Sequence, residues 1–326
     1  MNRTRLSRRD LLAWTACAVA AKTAPVLAQE NKLIEWVVGA APGGGSDLVA
    51  RTFAEPMAKS LGRQIVVVNK PGAGTNLAAD YVAKARDVEH VLLTADFAAL
   101  AVNPWLYSKL PYNAQKDLAN VGMLVRFPLV IVVSAQHPAR TFPDLLSWIR
   151  SQGGPVAFAS PGAGTPHHLV TEQLLRNLGV QATHVPYRGA APAVQDVIGG
   201  QVPFMLVDSA SGMPMINGGK LRALAVSTAV RMKTLPDVPT LQEQGLKGFE
   251  GFAWQGLAVP MAAPKSHVAR VSSALLEAFN NPLVEARLQA LGVEPLSGTP
   301  AEMDRFVKAE RERWGTVVRD LQLKLD

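Results

Sequence analysis

The five residues PGAGT occur twice in this chain, at positions 71–75 and 161–165, and each copy lies between an apolar run and a helix-like stretch. A third glycine-rich turn, APGGGSD at positions 41–47, lies in the same setting. Glycine lets the backbone turn with positive φ and approach a bound group closely. The first N–H groups of a following helix have no intrahelical partner and carry positive partial charge. The three turns therefore indicate either one anion-binding site between two lobes or three ordinary strand-to-helix loops.

The sequence on either side of the first two turns alternates short apolar or β-branched runs with amphipathic stretches. Residues 33–38, 64–69 and 90–94 are predicted strands, and residues 48–61 and 76–84 are the helices between them. This βαβαβ order predicts a parallel sheet covered by helices.

A second set of the same kind begins with LVIVVS at 129–134. It continues with helices at 142–150, 167–177 and 191–198, and with extended runs at 155–159, 183–186, 204–207, 221–227 and 256–259. The residues after 259 are predicted to be helical to the end of the chain. Ligands of open parallel sheets bind beyond the carboxyl ends of the strands. Two facing α/β units would therefore bring the three turns to one cleft.

The first 28 residues are predicted to be a signal peptide, which places the mature protein in the periplasm. A basic start, MNRTRLSRRD, precedes the short apolar stretch LLAWTACAVAA and small residues at Val26 and Ala28. Positions 7–12 (SRRDLL) resemble a twin-arginine export signal, and a general secretory signal with two adjacent arginines is the alternative. The only cysteine, Cys17, lies inside this segment, and lipidation there is a second alternative.

The composition indicates a well-packed globular protein of 326 residues, a length that predicts two domains. Five basic residues and one acidic residue within the first 28 carry +4 of the net charge of +7, which leaves about +3 for the mature chain. So small a charge does not indicate nucleic-acid binding. No apolar run of the mature chain is long enough to predict a transmembrane helix.

The glycine-rich turns do not match nucleotide-binding fingerprints, because the third glycine of G-x-G-x-x-G and the lysine of a P-loop are absent. His167 and His168 are adjacent and lack the spacing of a metal site, so neither a metal nor a cofactor is predicted. Asp47 and Asp208 have no companion set of catalytic groups, and Asp47 could equally cap the helix that follows it. A secreted hydrolase that uses Ser160 or Ser46 remains an alternative.

The segments at these turns also follow one another in a recognisable order. They include WVVGAAPGGGSDLVAR, VVVNKPGAGTNLAADYVAKA, ASPGAGTPHHLVTEQL, HVPYRGAAPAVQDVIGGQV, LPDVPTLQEQG and FAWQGLAVP, and they cover essentially the whole mature chain. As a set they resemble the Bug family, the extracytoplasmic solute-binding receptors of tripartite tricarboxylate transporters.

The resemblance implies an α/β, two-lobed, type II-like periplasmic-binding-protein (Venus-flytrap) fold with two crossing hinge strands. Residues 29–127 plus 256–326 would form the first lobe, and residues 128–255 the second. It also implies a monomer that holds a small organic acid by its carboxylate and delivers it to membrane transporter subunits. A sensor of the same fold that feeds a signalling system is the alternative.

The resemblance further implies which residues contact the ligand. In the first lobe these are Gly43, Gly44, Gly45, Ser46, Asp47, Gly74, Thr75 and Asn76. In the second lobe these are Ser160, Gly162, Gly164, Thr165, His168, Tyr187 and Asp208.

Other positions near the turns carry open or unusual features. Asp96 and Phe97 could line the cleft, and the alternative for Asp96 is that it faces solvent. Arg188 could reach the ligand or lie on the surface. The chain departs from the family pattern at Gly39 and Ala40, where the family usually has proline and an aromatic residue, and at Thr75, where glycine is usual. These departures predict a reshaped pocket.

Overall fold

The structure is a computed structural model that describes residues 32–325, so the predicted signal peptide lies outside the described residues. Strands β1–β10 are Ile34–Val38, Ile65–Asn69, Val91–Asp96, Leu118–Ser134, Val156–Ser160, Ala182–Pro186, Phe204–Asp208, Leu221–Val226, Phe252–Pro260 and Glu294–Pro295. Helices α1–α10 are Gly45–Leu61, Asn76–Ala83, Asn103–Leu106, Phe142–Ser151, Pro166–Asn177, Ala190–Ile198, Ser209–Asn217, Lys265–Ala278, Pro282–Ala290 and Pro300–Asp320. A 3₁₀ turn, Ala73–Thr75, precedes α2, and a π-helical turn, Ala98–Val102, precedes α3.

The main path of the sheet has the order β2-β1-β3-β9-β4-β7-β5-β6, with β8 and β10 paired to β4. β1 is parallel to β2 and β3, and β5 is parallel to β6 and β7, as the alternating sequence pattern predicts. β9 and β4 are inserted between these two parallel groups and are antiparallel to each other and to their neighbours. The two groups therefore share one sheet through a central antiparallel pair.

The long strand β4 joins the two halves of the sheet. It pairs with β9 from Leu118 to Pro128 and with β7 from Leu129 to Val133. Sequence analysis predicts only the second part, 129–134, as a strand. The first part contains asparagine, glycine and arginine, which interrupt an apolar run, and its register with β9 shifts twice. The change of partner lies where the lobe boundary is predicted, and the assignment of lobes stays a prediction.

The C-terminal helix α10 packs on β4 and on the turn Ala98–Val102, so it covers the half of the sheet that contains β1–β3. Thr299 and Glu302 form a capping box at its start, and Pro300 occupies the first helical position. Among residues 32–325 no helix is both long and apolar enough to cross a membrane.

Candidate functional site

The first glycine-rich turn is held in shape by the carboxylate of Asp47. Oδ2 of Asp47 accepts from the N–H of Gly43 and from Nε of Arg51, both at 2.9 Å, and Oδ1 accepts from Nδ2 of Asn69 at 3.0 Å. Burial opposes ionisation of Asp47, but the hydrogen bonds from Arg51, Gly43 and Asn69 outweigh it and hold its pKa below the usual range. Asp47 therefore fixes the path of the chain into α1.

The start of α1 presents unpaired donors. The first helical hydrogen bond runs from the N–H of Leu48 to the carbonyl of Gly44, at 3.0 Å. Within residues 32–325 the N–H groups of Gly45, Ser46 and Asp47 have no acceptor. Three aligned N–H groups at the positive end of a 17-residue helix form a favourable place for a carboxylate.

The second turn is fixed by asparagine side chains. Nδ2 of Asn103 donates to the carbonyl oxygen of Gly74 at 2.7 Å and to Oδ1 of Asn76 at 2.6 Å. Gly74 and Thr75 both have positive φ, 59° and 71°. This conformation is common for glycine but unusual for a β-branched residue such as threonine. The strained backbone at Thr75 therefore requires support from its surroundings.

Asp96 lies at the end of β3 and provides part of that support. Its Oδ1 accepts from Oγ1 of Thr75 at 3.0 Å and from the N–H of Ala99 at 2.8 Å. Burial raises the pKa of Asp96 to about 6. Asp96 is half-buried, so it does not simply face solvent. Phe97 lies in the core instead of the cleft, because its ring is 1% exposed and packs edge-on against Trp314.

The third turn surrounds a buried serine. Oγ of Ser160 accepts from the N–H of Gly162 at 3.1 Å and lies 2.6 Å from Nε2 of His184. The N–H of Gly164 donates to Nδ1 of His168 at 3.1 Å, and the rings of His168 and His184 stack with centroids 3.7 Å apart. Burial, and then the neighbouring His168, lower the pKa of His184 to about 3. Ser160 and His168 thus hold the turn by their side chains.

The other predicted residues of the second half have defined partners. Thr165 caps α5, accepts from the N–H of His168 at 3.4 Å and donates to the carbonyl of Gly162 at 2.7 Å. The hydroxyl of Tyr187 donates to Oδ2 of Asp196 at 2.6 Å, and burial and this carboxylate raise the pKa of Tyr187 to about 12. Arg188 is exposed. Ligand contact by these residues stays a prediction.

Asp208 ends β7 and caps α7 by accepting from the N–H of Ser211 at 2.9 Å. Its second oxygen lies 3.3 Å from Nε2 of His167. Burial opposes ionisation of Asp208, but the contact with His167 outweighs it and keeps the pKa of Asp208 below the usual range. The resemblance implies ligand contact by His168, and the sequence did not single out His167 as a partner of Asp208.

The first turn meets the second half of the chain directly at Gly45. A Cβ atom placed on Gly45 would lie 3.2 Å from Oδ1 of Asp208 and 3.1 Å from Cε1 of Phe127. The third turn contacts α3, since a Cβ atom on Gly164 would lie 2.5 Å from Cδ1 of Leu106. His167, two residues beyond the third turn, contacts Asp208, so turns from both halves border one junction beside the start of α1.

Gln255 on β9 is a further residue of this junction that the sequence did not single out. Its Nε2 donates to Oγ of Ser46, and its backbone pairs with Asp96 on β3. Between residues 32 and 325 no cluster of three or more His, Cys, Asp or Glu side chains is arranged to hold a metal ion.

Comparison with known proteins identifies the family. The model of the tripartite tricarboxylate transporter family receptor, TctC, matches residues 49–323. The chain belongs to this family. Its members are periplasmic solute-binding proteins, and the chain resembles the periplasmic binding protein BugD with 31% identity and a TM-score of 0.84, over 90% of this chain and 99% of that one. The predicted membership of the Bug family is thereby confirmed.

Two other solved structures contain a named acid. R. palustris Rpa4515 with adipate is 29% identical, with a TM-score of 0.86 over 90% of this chain and 99% of that one. MatC from Rhodopseudomonas palustris with bound malate is 33% identical, with a TM-score of 0.81 over 88% of this chain and 99% of that one. These likenesses confirm the predicted periplasmic-binding-protein fold.

Proposed function

We propose that the protein captures a small organic acid in the cleft between its two lobes and delivers it to the membrane subunits of a tripartite tricarboxylate-type transporter. Family membership and the adipate and malate of the two relatives support an acid as the ligand class. In the proposal the chain is exported to the periplasm by the twin-arginine signal at 1–28, acts as a monomer and performs no covalent chemistry.

The observation that carries this proposal is the set of unpaired N–H groups at Gly45, Ser46 and Asp47, held in position by the buried carboxylate of Asp47. Such a helix start binds a carboxylate without an arginine. The acid would dock there first, and the second lobe would close over it at Asp208. Closure on binding requires that the acid contact the closed form better than the open form. The membrane subunits would then recognise the closed form.

A thermal-shift screen of the purified protein against small acids and their neutral amides tests ligand capture. An acid present at about one hundred times its Kd adds about 2.7 kcal/mol to the free energy of unfolding and raises Tm by several degrees. We expect stabilisation by an acid and none by its amide. Stabilisation by amides alone would contradict the proposal.

A variant at Gly45 tests the place of binding. Gly45→Ala puts a methyl group against Asp208 and Phe127, so it should abolish the acid-dependent shift in Tm. Gly154→Ala is the matched control, because nothing lies within 4 Å of a Cβ atom there and its φ is not positive. Equal shifts in both variants would place the acid elsewhere.

Transport and sensing differ in what happens to the acid. Uptake of the radiolabelled acid by cells that have or lack this protein separates the two, since a receptor for transport is required for uptake. Uptake that is unchanged by loss of the protein, with a lost transcriptional response to the acid, would favour the sensor.

A further inference from the structure

The side chain of Gln255 contains a buried acceptor without a partner. Gln255 is 4% exposed and lies on the central strand β9. Its Nε2 donates to Oγ of Ser46, whereas Oε1 has no hydrogen-bond partner in the described part of the chain. Buried polar atoms in proteins usually have a partner, so this unpaired acceptor next to a candidate site is a place where a donor of a ligand could bind.

The donors around Gln255 fit the carboxylate of the proposed ligand. Because Oγ of Ser46 accepts from Gln255, its own proton is free to point toward an acceptor. This hydroxyl lies in the first turn of α1, together with the unpaired N–H groups of Gly45 and Ser46. Oε1 belongs to the same amide as Nε2, so this acceptor lies beside the place where the carboxylate would bind.

A second buried polar atom without a partner lies across the junction. Nδ1 of His167 is buried and has no hydrogen-bond partner among residues 32–325. The carboxylate of Asp208 can only accept when ionised, so Nε2 of His167 carries a proton in their 3.3 Å contact, and Nδ1 is the ring atom that lacks a partner. The junction therefore offers donors to an anionic group, one acceptor that requires a donor from the ligand, and one further ring nitrogen without a partner.

We propose that Gln255 is a specificity-determining residue, and that the ligand is an acid with a hydrogen-bond donor, a hydroxyl or an ammonium group, on the carbon next to the carboxylate bound at α1. This proposal rests on the proposed function, because it assumes that an acid occupies the start of α1. An acid without the donor would leave Oε1 of Gln255 buried and unpaired in the closed cleft, so it would bind more weakly.

Matched series of acids test this inference on the unmodified protein by isothermal titration calorimetry. Each series has a plain acid, its 2-hydroxy form and its 2-amino form. The series are propionate, lactate and alanine; succinate, malate and aspartate; glutarate, 2-hydroxyglutarate and glutamate; and phenylacetate, mandelate and phenylglycine. In the series that binds, we expect the hydroxy or the amino form to have a Kd at least about tenfold lower than the plain acid. Which of the two is favoured identifies the donor.

Gln255→Leu removes Oε1, together with the hydrogen bond from Nε2 to Ser46, at similar size and should bring the Kd values of the substituted and plain acids together. Gln244→Leu is the matched control, because Nε2 of Gln244 makes one long contact, 3.4 Å to the carbonyl of Leu224. The inference would be overturned by equal Kd values across a series in the unmodified protein. It would also be overturned if Gln255→Leu kept the preference for the substituted acid. Either result would leave acid capture itself intact. If no acid binds, acid capture itself fails and the inference with it.

Discussion

Thr75 occupies the space that a side chain at position 39 would need. A Cβ atom placed on Gly39 would lie 2.7 Å from Cβ and 3.0 Å from Cγ2 of Thr75. These are two of the positions at which the resemblance to the Bug family predicts other residues. Read from the sequence, they are separate changes. In the structure the two positions adjoin, so we expect the side chain of Thr75 to fill the space beside Gly39.

Gly39→Ala should destabilise the protein by about 1–3 kcal/mol, because overpacking forces Thr75 to move in a backbone that is already strained. The loss should be much smaller in a Thr75→Gly background, where the space is free and φ of 71° carries no penalty. Urea unfolding of the two single variants and the double variant gives the coupling energy, which we expect to be about 1 kcal/mol or more. Additive effects of the two substitutions would contradict direct compensation. Gly154→Ala should change the free energy of unfolding little.

The carboxyl of Asp96 should make stability fall as the pH rises from about 4 to 6. Burial raises its pKa from the ordinary value of 3.8 to about 6, so in this window the folded state holds a proton that the unfolded state has released. In Asp96→Asn the fall in the free energy of unfolding over this window should be about 2 kcal/mol smaller, a value reduced because partial exposure screens the charge. The amide oxygen of the asparagine should still accept the hydrogen bond from the N–H of Ala99. Urea unfolding of both proteins at pH 4, 5, 6 and 7 checks this. Only their difference is diagnostic, because the lowered pKa of His184 gives the opposite slope below pH 6.5. A constant difference across the range would contradict the prediction.

Local glycine patterns and apolar periodicity predicted the alternation of strands and helices and the location of the three turns, and the resemblance of the quoted segments predicted the family. The sequence did not predict which side chains meet at the junction. Gln255 and His167 are separated from their partners Ser46 and Asp208 by 209 and 41 positions, and only the tertiary fold brings these atoms together. The first part of β4 was also missed, because its strand conformation depends on pairing with β9.

We expect no esterase activity in the unmodified protein, so Ser160→Ala should remove none. Oγ of Ser160 contacts His184 as a nucleophile would contact a base, yet Ser160 is 0% exposed, and within residues 32–325 no carboxylate is hydrogen-bonded to His184. We expect Ser160→Ala to cost about 1–3 kcal/mol of stability, because the N–H of Gly162 loses its acceptor. Ester hydrolysis should be equally low in the variant, in Ser46→Ala and in the unmodified protein. If the unmodified protein hydrolyses esters and either substitution removes this activity, the hydrolase alternative would be supported.

Glu310 of α10 should be required for the stability of the central strand pair. Its Oε2 accepts from Nε1 of Trp254 on β9 at 2.8 Å and from Nε1 of Trp314 at 3.1 Å, and Glu310 is 7% exposed. Glu310→Leu leaves two buried indole N–H groups without an acceptor, so we expect a loss of about 2–4 kcal/mol in urea unfolding and a shifted tryptophan emission. Glu312→Leu on the exposed side of the same helix should stay within about 0.5 kcal/mol. If Glu310→Leu and Glu312→Leu lose equal free energy of unfolding, the two indole hydrogen bonds are not what stabilises the packing of α10 on the strands. An unchanged emission in Glu310→Leu would mean that Trp254 keeps its surroundings without the carboxylate.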